Sequence, residues 1–364
     1  MCKVCIVPFT KNEYPLAKTL QKDYAVEALV APHGIGETGE DIGVLLFRED
    51  VGIHITNDAI NGIYESDIII ISSVSETDSS LYQYAYNALY RAISFGKKVY
   101  SFLSISESGK AEIDVLRKRT SAECVFMNDM KPGTVVQQYE NRFHEFPVPV
   151  LYVLELFPDC DSYEVFINLS EEFKRRGLRV LSISNDKYNL LLDECYAYLD
   201  FDLPMKLSDY PHWVNQAVYN LYKECYPNMI IVRVSIPILE FDEKAPFDLG
   251  VSTYAITQSI PGDACVLCIP MRKDYSSFSK WISCTIEERY GLSVAGVHMS
   301  NCLIDRTGDS PSATVQVNHQ EVEKILSAVD SVSPKAYQLY KEKQVSGFVD
   351  SFVDSNIKLD YGVI

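Results

Sequence analysis

The chain has 364 residues, 47% hydrophobic and 23% charged, an ordinary composition for a globular protein long enough to form two domains. Its 50 acidic residues outnumber 33 basic ones, and the net charge of -17 argues against nucleic acid and anionic membranes as partners, because phosphate binding needs clustered Lys and Arg. No apolar run approaches the about 18 residues of a membrane span, and residues 1–18 have no long apolar stretch after a basic start, so the sequence predicts a cytoplasmic protein without a signal peptide.

In chain order, residues 3–8 read as a short strand, 14–22 as a helix and 25–30 as a second strand. The loop 31–41 (APHGIGETGED) carries Gly34, Gly36 and Gly39, which free the backbone for φ > 0 and expose N–H groups able to cradle a small anion. It matches GxGxxG, but it follows the second strand and no clear amphipathic helix opens at its end, so a structural loop is the favoured reading. Residues 52–56 form a short strand and 58–64 a short helix capped by Asn57. The unbroken run 67–72 (DIIIIS) is a parallel strand covered on both faces. A helix over 79–95 ended by Gly96, a strand at 98–103, a basic-ended helix at 110–119 and a strand at 123–127 complete the first domain. Residues 130–146, with Pro132 and Gly133, read as the linker region.

The second half is built on 149–184, a strand–loop–helix–strand unit. Residues 150–156 are apolar and aromatic except for Glu155; Val165, Phe166, Leu169 and Phe173 share one helical face; Gly177 stops the helix and 178–183 is the next strand. A right-handed crossover of this length predicts a parallel sheet. The loop 157–162 (FPDCDS) sits where a phosphate-binding P-loop would be, yet it has no glycine, no lysine, and two carboxylates, Asp159 and Asp161, that repel anions. Beyond it, 185–192 follows a strand end where ligands of doubly wound sheets bind; there Asp186 is a candidate ribose acceptor, with a solvated turn carboxylate the favoured reading. Residues 193–211 read as a loop over the sheet edge, and 213–226 as a helix. Strands follow at 229–235, 264–269 and 292–298, the last of the sheet, with a long loop at 237–250 and helices at 275–290 and 320–329. The stretch 337–364 reads as a helix plus a loosely docked tail.

The ten cysteines lie mostly in these strands and helices, as buried free thiols do. Cys2/Cys5 and Cys265/Cys268 have CxxC spacing, but inside strands residues i and i+3 face opposite sides, so no metal is expected. Cys160 is the thiol to watch: the dipole of the helix behind it would lower its pKa, against the opposing charges of Asp159 and Asp161. His298, at a strand end beside Met299-Ser300-Asn301-Cys302, is the best placed histidine for a dyad, with a structural role favoured. Glu155, Asp159, Asp161, Asp242, Glu243 and Asp248 could crowd one acidic rim. The 24 tyrosines suit helix–sheet contacts first and a peptide-binding surface second.

Residues 7–43 (VPFTKNEYPLAKTLQKDYAVEALVAPHGIGETGEDIG) and 51–71 (VGIHITNDAINGIYESDIIII) resemble the accessory proteins of clostridial peptide-maturation systems, encoded beside a small Cys-rich, bacteriocin-like precursor and a radical SAM maturase. The likeness rests on the Pro8-Phe9 strand end, the leucine-bearing helix before Tyr24, the loop through Gly34, Gly36, Gly39 and Asp41, and Gly52-Ile53 ahead of Asp58. It extends through the second half as a P-loop-related domain. It implies a role in making a ribosomally synthesised, modified peptide, with the precursor or the maturase as partner, and it implies no cofactor and no particular reaction. Related two-domain proteins carry a glycine-rich loop where this chain has 157–162, so no NTPase activity is carried over.

The expected fold class is α/β, with two Rossmann-like domains of mainly parallel sheets, the second resembling a P-loop NTPase domain that lacks the P-loop. The expected boundaries are 1–135, a linker at 136–146, 147–330, and a C-terminal helix and tail at 331–364. The interdomain cleft is the default site, with Gly34, Gly36, Thr38, Gly39 and Asp41 on one side and Asp159, Cys160, Asp161, Ser162 and Asp186 on the other. The first functional reading is an accessory protein that binds precursor peptide or modifying enzyme, and a homo-oligomer is compatible with it. The alternative is an enzyme that holds a nucleotide or other phosphorylated ligand on the glycine loop.

Overall fold

The computed structural model describes residues 1–32, 38–46, 48, 50–75, 77–130, 142–201, 206, 208–240, 246–304 and 314–356. The chain divides into two compact units, 1–131 and 132–364. Among the described residues no helix is long and apolar enough to cross a membrane.

The first unit runs β1 (Lys3–Val7), α1 (Tyr14–Leu20), β2 (Ala25–Val30), α2 (Ile42–Leu45), β3 (Ile55–Thr56), α3 (Ala59–Glu65), β4 (Ile68–Ile71), α4 (Ser79–Ser94), β5 (Lys98–Ser101), α5 (Glu107–Thr120) and β6 (Glu123–Phe126). The sheet order is β3-β2-β1-β4-β5-β6 with every neighbouring pair parallel, the order of a Rossmann sheet. The run of isoleucines in β4 is central because helices cover both of its faces and nothing polar is tolerated there. Short polar side chains start the helices: Asp78 accepts from Leu81 N–H, Ser106 from Gly109 N–H, and Asp58, one residue beyond the expected Asn57, from Asn61 N–H. One face of the sheet closes over Cys5, Val7, Ile69, Ile71, Leu89 and Ile93.

The second unit runs β7 (Val150–Glu155), α6 (Ser162–Arg175), β8 (Val180–Ser184), β9 (Tyr196–Tyr198), α7 (Tyr210–Cys225), β10 (Met229–Arg233), α8 (Val251–Ser259), β11 (Ala264–Ile269), α9 (Tyr275–Tyr290), β12 (Ser293–Met299), β13 (Cys302–Ile304), β14 (Thr314–Gln316), α10 (His319–Ala328), β15 (Ala336–Tyr337) and α11 (Glu342–Asn356). Seven strands form one parallel sheet in the order β15-β12-β11-β7-β10-β8-β9, and β13 and β14 make a separate antiparallel pair. The order turns at β7, so the C-terminal ends of β7 and its neighbours border the switch point where α/β sheets bind ligands. Every residue of β7, β10 and β11 is buried, including the charged Glu155 and Arg233 that end the first two.

Two edge strands were not evident in the sequence. β9 lies within the stretch expected as a loop, and β15 adds to β12, which was expected to be the last strand. The helix expected after Tyr337 is α11; it buries Phe348, Val349 and Phe352, with the Phe352 ring edge-on to Phe173 of α6 at 5.8 Å. Residues 357–364 lie outside the described residues.

Phe348 fits because β12 carries Gly296: a Cβ there would lie 2.9 Å from the Phe348 ring and 3.1 Å from Tyr337. Gly296→Ala should therefore push α11 outward and lower stability by about 1–3 kcal/mol, as overpacking does. Chemical denaturation checks this, and an unchanged midpoint would show that α11 accommodates the methyl.

Candidate functional site

The residues that end β7, β8, β10 and β12 place charge at one rim of the second sheet, and the loop 156–161 runs across it. Glu155 is only 4% exposed and Arg233 8%, so each needs a partner. Ser162, the first residue of α6, links them: its Oγ donates to Glu155 Oε2, and Arg233 Nε donates to that same Oγ at 3.0 Å. The Arg233 guanidinium lies 5.3 Å from the Tyr163 ring centroid, and its Nη1 is 3.9 Å from Asp186 Oδ2. Burial pushes the Glu155 carboxyl up to about 7 in spite of Arg233 and the Ser162 hydroxyl. Burial also raises Asp186, with Arg233 and the N–H of Tyr188 opposing it. Asp186 is a turn carboxylate with its side chain 27% exposed: Oδ1 accepts from Tyr188 N–H at 2.9 Å while the other oxygen faces the guanidinium.

A second group forms on the β12 side. Asp161 occupies the N-cap position of α6 in a left-handed conformation (φ 61), and its side chain does not cap the helix. It points instead to the end of β12, where Oδ2 accepts from Ser300 Oγ at 2.5 Å and lies 3.5 Å from His298 Nε2. The fully buried His298 accepts Leu339 N–H on Nδ1 at 2.9 Å. In the neutral ring that bond puts the proton on Nε2, facing Asp161. The sequence had singled out His298 but could not show that Asp161 converges on it.

Cys160 is fully buried, and desolvation holds its thiol well above the usual range, assisted by a hydrogen bond with Cys302 and by the charges of Glu155 and Asp161. This corrects the expectation of a thiol activated by the helix dipole: the side chain packs inward, where a thiolate would be desolvated. Cys302 Sγ donates to the Asp159 carbonyl at 3.7 Å, and Asp159 itself is left-handed (φ 65). Among the described residues no group of three or more His, Cys, Asp or Glu side chains could hold a metal ion. Asp242 and Glu243, assigned to the same rim, lie outside the described residues.

In the first unit Gly34 and Gly36 lie outside the described residues, while Thr38, Gly39 and Asp41 are placed. Gly39 has φ 95, a conformation that favours glycine, and its N–H donates to Ile55 O at 2.9 Å. Thr38 Oγ1 accepts from Asn57 N–H at 3.2 Å. Asp41 is occupied by backbone: Oδ1 accepts from Gly43, Val44 and Val51 N–H at 2.8, 3.2 and 3.2 Å, and Oδ2 from Ile53 N–H at 3.1 Å. Burial acts to raise its pKa, but these N–H groups outweigh it and hold the carboxyl below its ordinary value. These three residues brace a corner against β3, and Asp41 has spent its oxygens on that corner.

Missing from the candidates were Glu155 and Arg233 as a pair, and Ser300. The signal for the first two was available, since a charged residue inside each of two fully apolar strands is rare unless the two are paired.

Among solved structures, the chain is similar to a DUF1611 family protein from Anabaena variabilis, with a TM-score of 0.60 over 97% of this chain and 100% of that one, at 10% identity. Such identity bears on fold alone: both are α/β proteins of like architecture. Slighter likenesses are to a plasmid partition protein of Borrelia burgdorferi bound to AMPPNP (TM-score 0.36, 10% identity, 57% of this chain and 98% of that one) and an amine dehydrogenase of Mycobacterium smegmatis (TM-score 0.27, 20% identity, 34% and 38%). No family model and no curated protein sequence matches the chain.

Two outcomes follow from this geometry. Glu155 titrates at about 7 when folded against 4.5 when unfolded, so the folded state holds more protons between these values. Its contribution to stability is complete below the unfolded value and lost as pH rises through the folded one. Glu155→Gln should flatten the fall of the thermal midpoint across that window, leaving the slope due to Asp186; an unchanged pH profile would exclude the buried carboxyl as its source. In the first unit, Asp41→Ala strands several backbone N–H groups and should cost about 3 kcal/mol near neutral pH. Because the Asp41 pKa is depressed, that loss should shrink as pH falls through its folded value, which denaturation at neutral and acid pH would read.

Proposed function

We propose that this protein is an accessory factor in the maturation of a ribosomally synthesised, modified peptide, binding the precursor peptide or the radical SAM maturase rather than turning over a nucleotide. The observation that supports the second half of this reading is the state of loop 156–161. At the position of a phosphate cradle it presents Asp159 and Asp161, while the groups best suited to a phosphate are engaged within the protein, Ser162 with Glu155 and Arg233 with Ser162. The peptide system itself is supported by the resemblance of residues 7–43 and 51–71 to the accessory proteins of such systems. The chain's acidity favours a cationic segment of the partner, and a cytoplasmic location belongs to the same reading.

The glycine-loop alternative has less support, because Asp41 is committed to backbone N–H groups. A thermal-shift series with ATP, GTP and NAD, with and without Mg²⁺, should leave the midpoint unchanged, whereas the Cys-rich precursor encoded nearest the gene should raise it. A ligand at 100 times its dissociation constant adds about 2.7 kcal/mol, a readily seen shift. A nucleotide response abolished by Gly36→Val would replace this reading with the enzyme.

A further inference from the structure

An aspartate at an N-cap ordinarily folds back to accept from its own helix. Asp161 does not: it makes no cap bond, holds a left-handed backbone, and reaches to the end of β12. There two donors meet its Oδ2, Ser300 Oγ–H at 2.5 Å and His298 Nε2–H at 3.5 Å. Both belong to fully buried residues. The histidine donor is fixed from behind, since Leu339 N–H occupies Nδ1, and the Leu339 carbonyl is itself held by Asn168 Nδ2 at 3.0 Å. Backbone strain of this kind persists only where surrounding contacts over-determine it, and it gathers at sites that switch or bind.

We propose that His298 and Ser300 form a carboxylate-binding site which Asp161 fills in the free protein, and which a carboxylate ligand takes over when the Asp161 turn relaxes. The ligand class follows from charge. Glu155 and Asp186 lie on the same rim with one guanidinium between them, so a phosphate would add negative charge, whereas exchanging one carboxylate for another leaves the balance unchanged. The carboxylate belongs either to a small organic acid or to a peptide. The inference stands apart from the peptide-maturation reading, because it rests on the Asp161, His298 and Ser300 geometry alone.

Asp161→Gly removes the internal carboxylate while suiting the left-handed backbone. Sodium acetate, compared with sodium chloride at equal ionic strength, should raise the thermal midpoint of this variant by about 2–4 °C and leave the wild type unmoved. Adding Ser300→Ala should reduce that response. Equal effects of acetate and chloride on Asp161→Gly would overturn the proposal. An acetylated tripeptide acid set beside its amide separates the sources: an acid-only shift larger than that of acetate assigns a peptide, and a response to acetate alone assigns a small acid. Should Asp161→Gly fail to fold, ¹⁵N NMR of wild-type His298 decides. The Nε2–H tautomer is expected, and a proton on Nδ1 would remove the donor on which the site depends.

Discussion

Arg233 is nearly buried at the end of a central strand, and a guanidinium cannot shed its charge. Everything at this rim answers to that fact. Its Nε is satisfied by Ser162, which starts α6 and itself donates to Glu155, while Asp186 supplies a second carboxylate at longer range. Removing one partner of such a set would leave a desolvated charge, typically about 3–5 kcal/mol. The arrangement therefore locks β7, β10 and the start of α6 into one geometry. The loop that leads into α6 is held by side chains of the protein itself.

The same constraint shapes the loop. With Ser162 drawn toward Glu155 and Arg233, the chain enters α6 through two left-handed aspartates, Asp159 and Asp161. Glycine would be the usual residue there, but aspartate tolerates that region better than most and brings an acceptor that His298 and Ser300 can use. Cys160 between them is turned into the interior, where Cys302 meets it. The loop is thus held through its own side chains and backbone, which bond to the residues at the end of β12.

Much of the fold was legible because it rests on short-range patterns. The apolar runs of β4, β7, β10 and β11 and the faces of α4 and α6 announce buried parallel strands with covering helices. What escaped was decided at long range. β9 and β15 are short edge strands defined by their neighbours rather than by their own composition. Asp161 and His298 stand 137 residues apart, and no periodicity links them. In the loop that follows β2, the part played by Asp41 could not be read from composition either: it braces the turn into α2, a role that depends on where Val51 and Ile53 return.

Around loop 156–161 the Arg233 guanidinium acts on the carboxylates of Glu155 and Asp186, with Asp159 and Asp161 beside them. Two like charges 4 Å apart at an effective dielectric near 20 repel by about 4 kcal/mol, so a triphosphate entering this rim would meet several such penalties. Protonation of Glu155 near neutral pH relieves one charge and leaves the others. Adding one glycine or one lysine would consequently not make a nucleotide site, because Arg233 would still be bound to Ser162, Ser162 to Glu155, and Asp161 to Ser300. The rim is built to hold its own carboxylates, and any function it serves has to work through them.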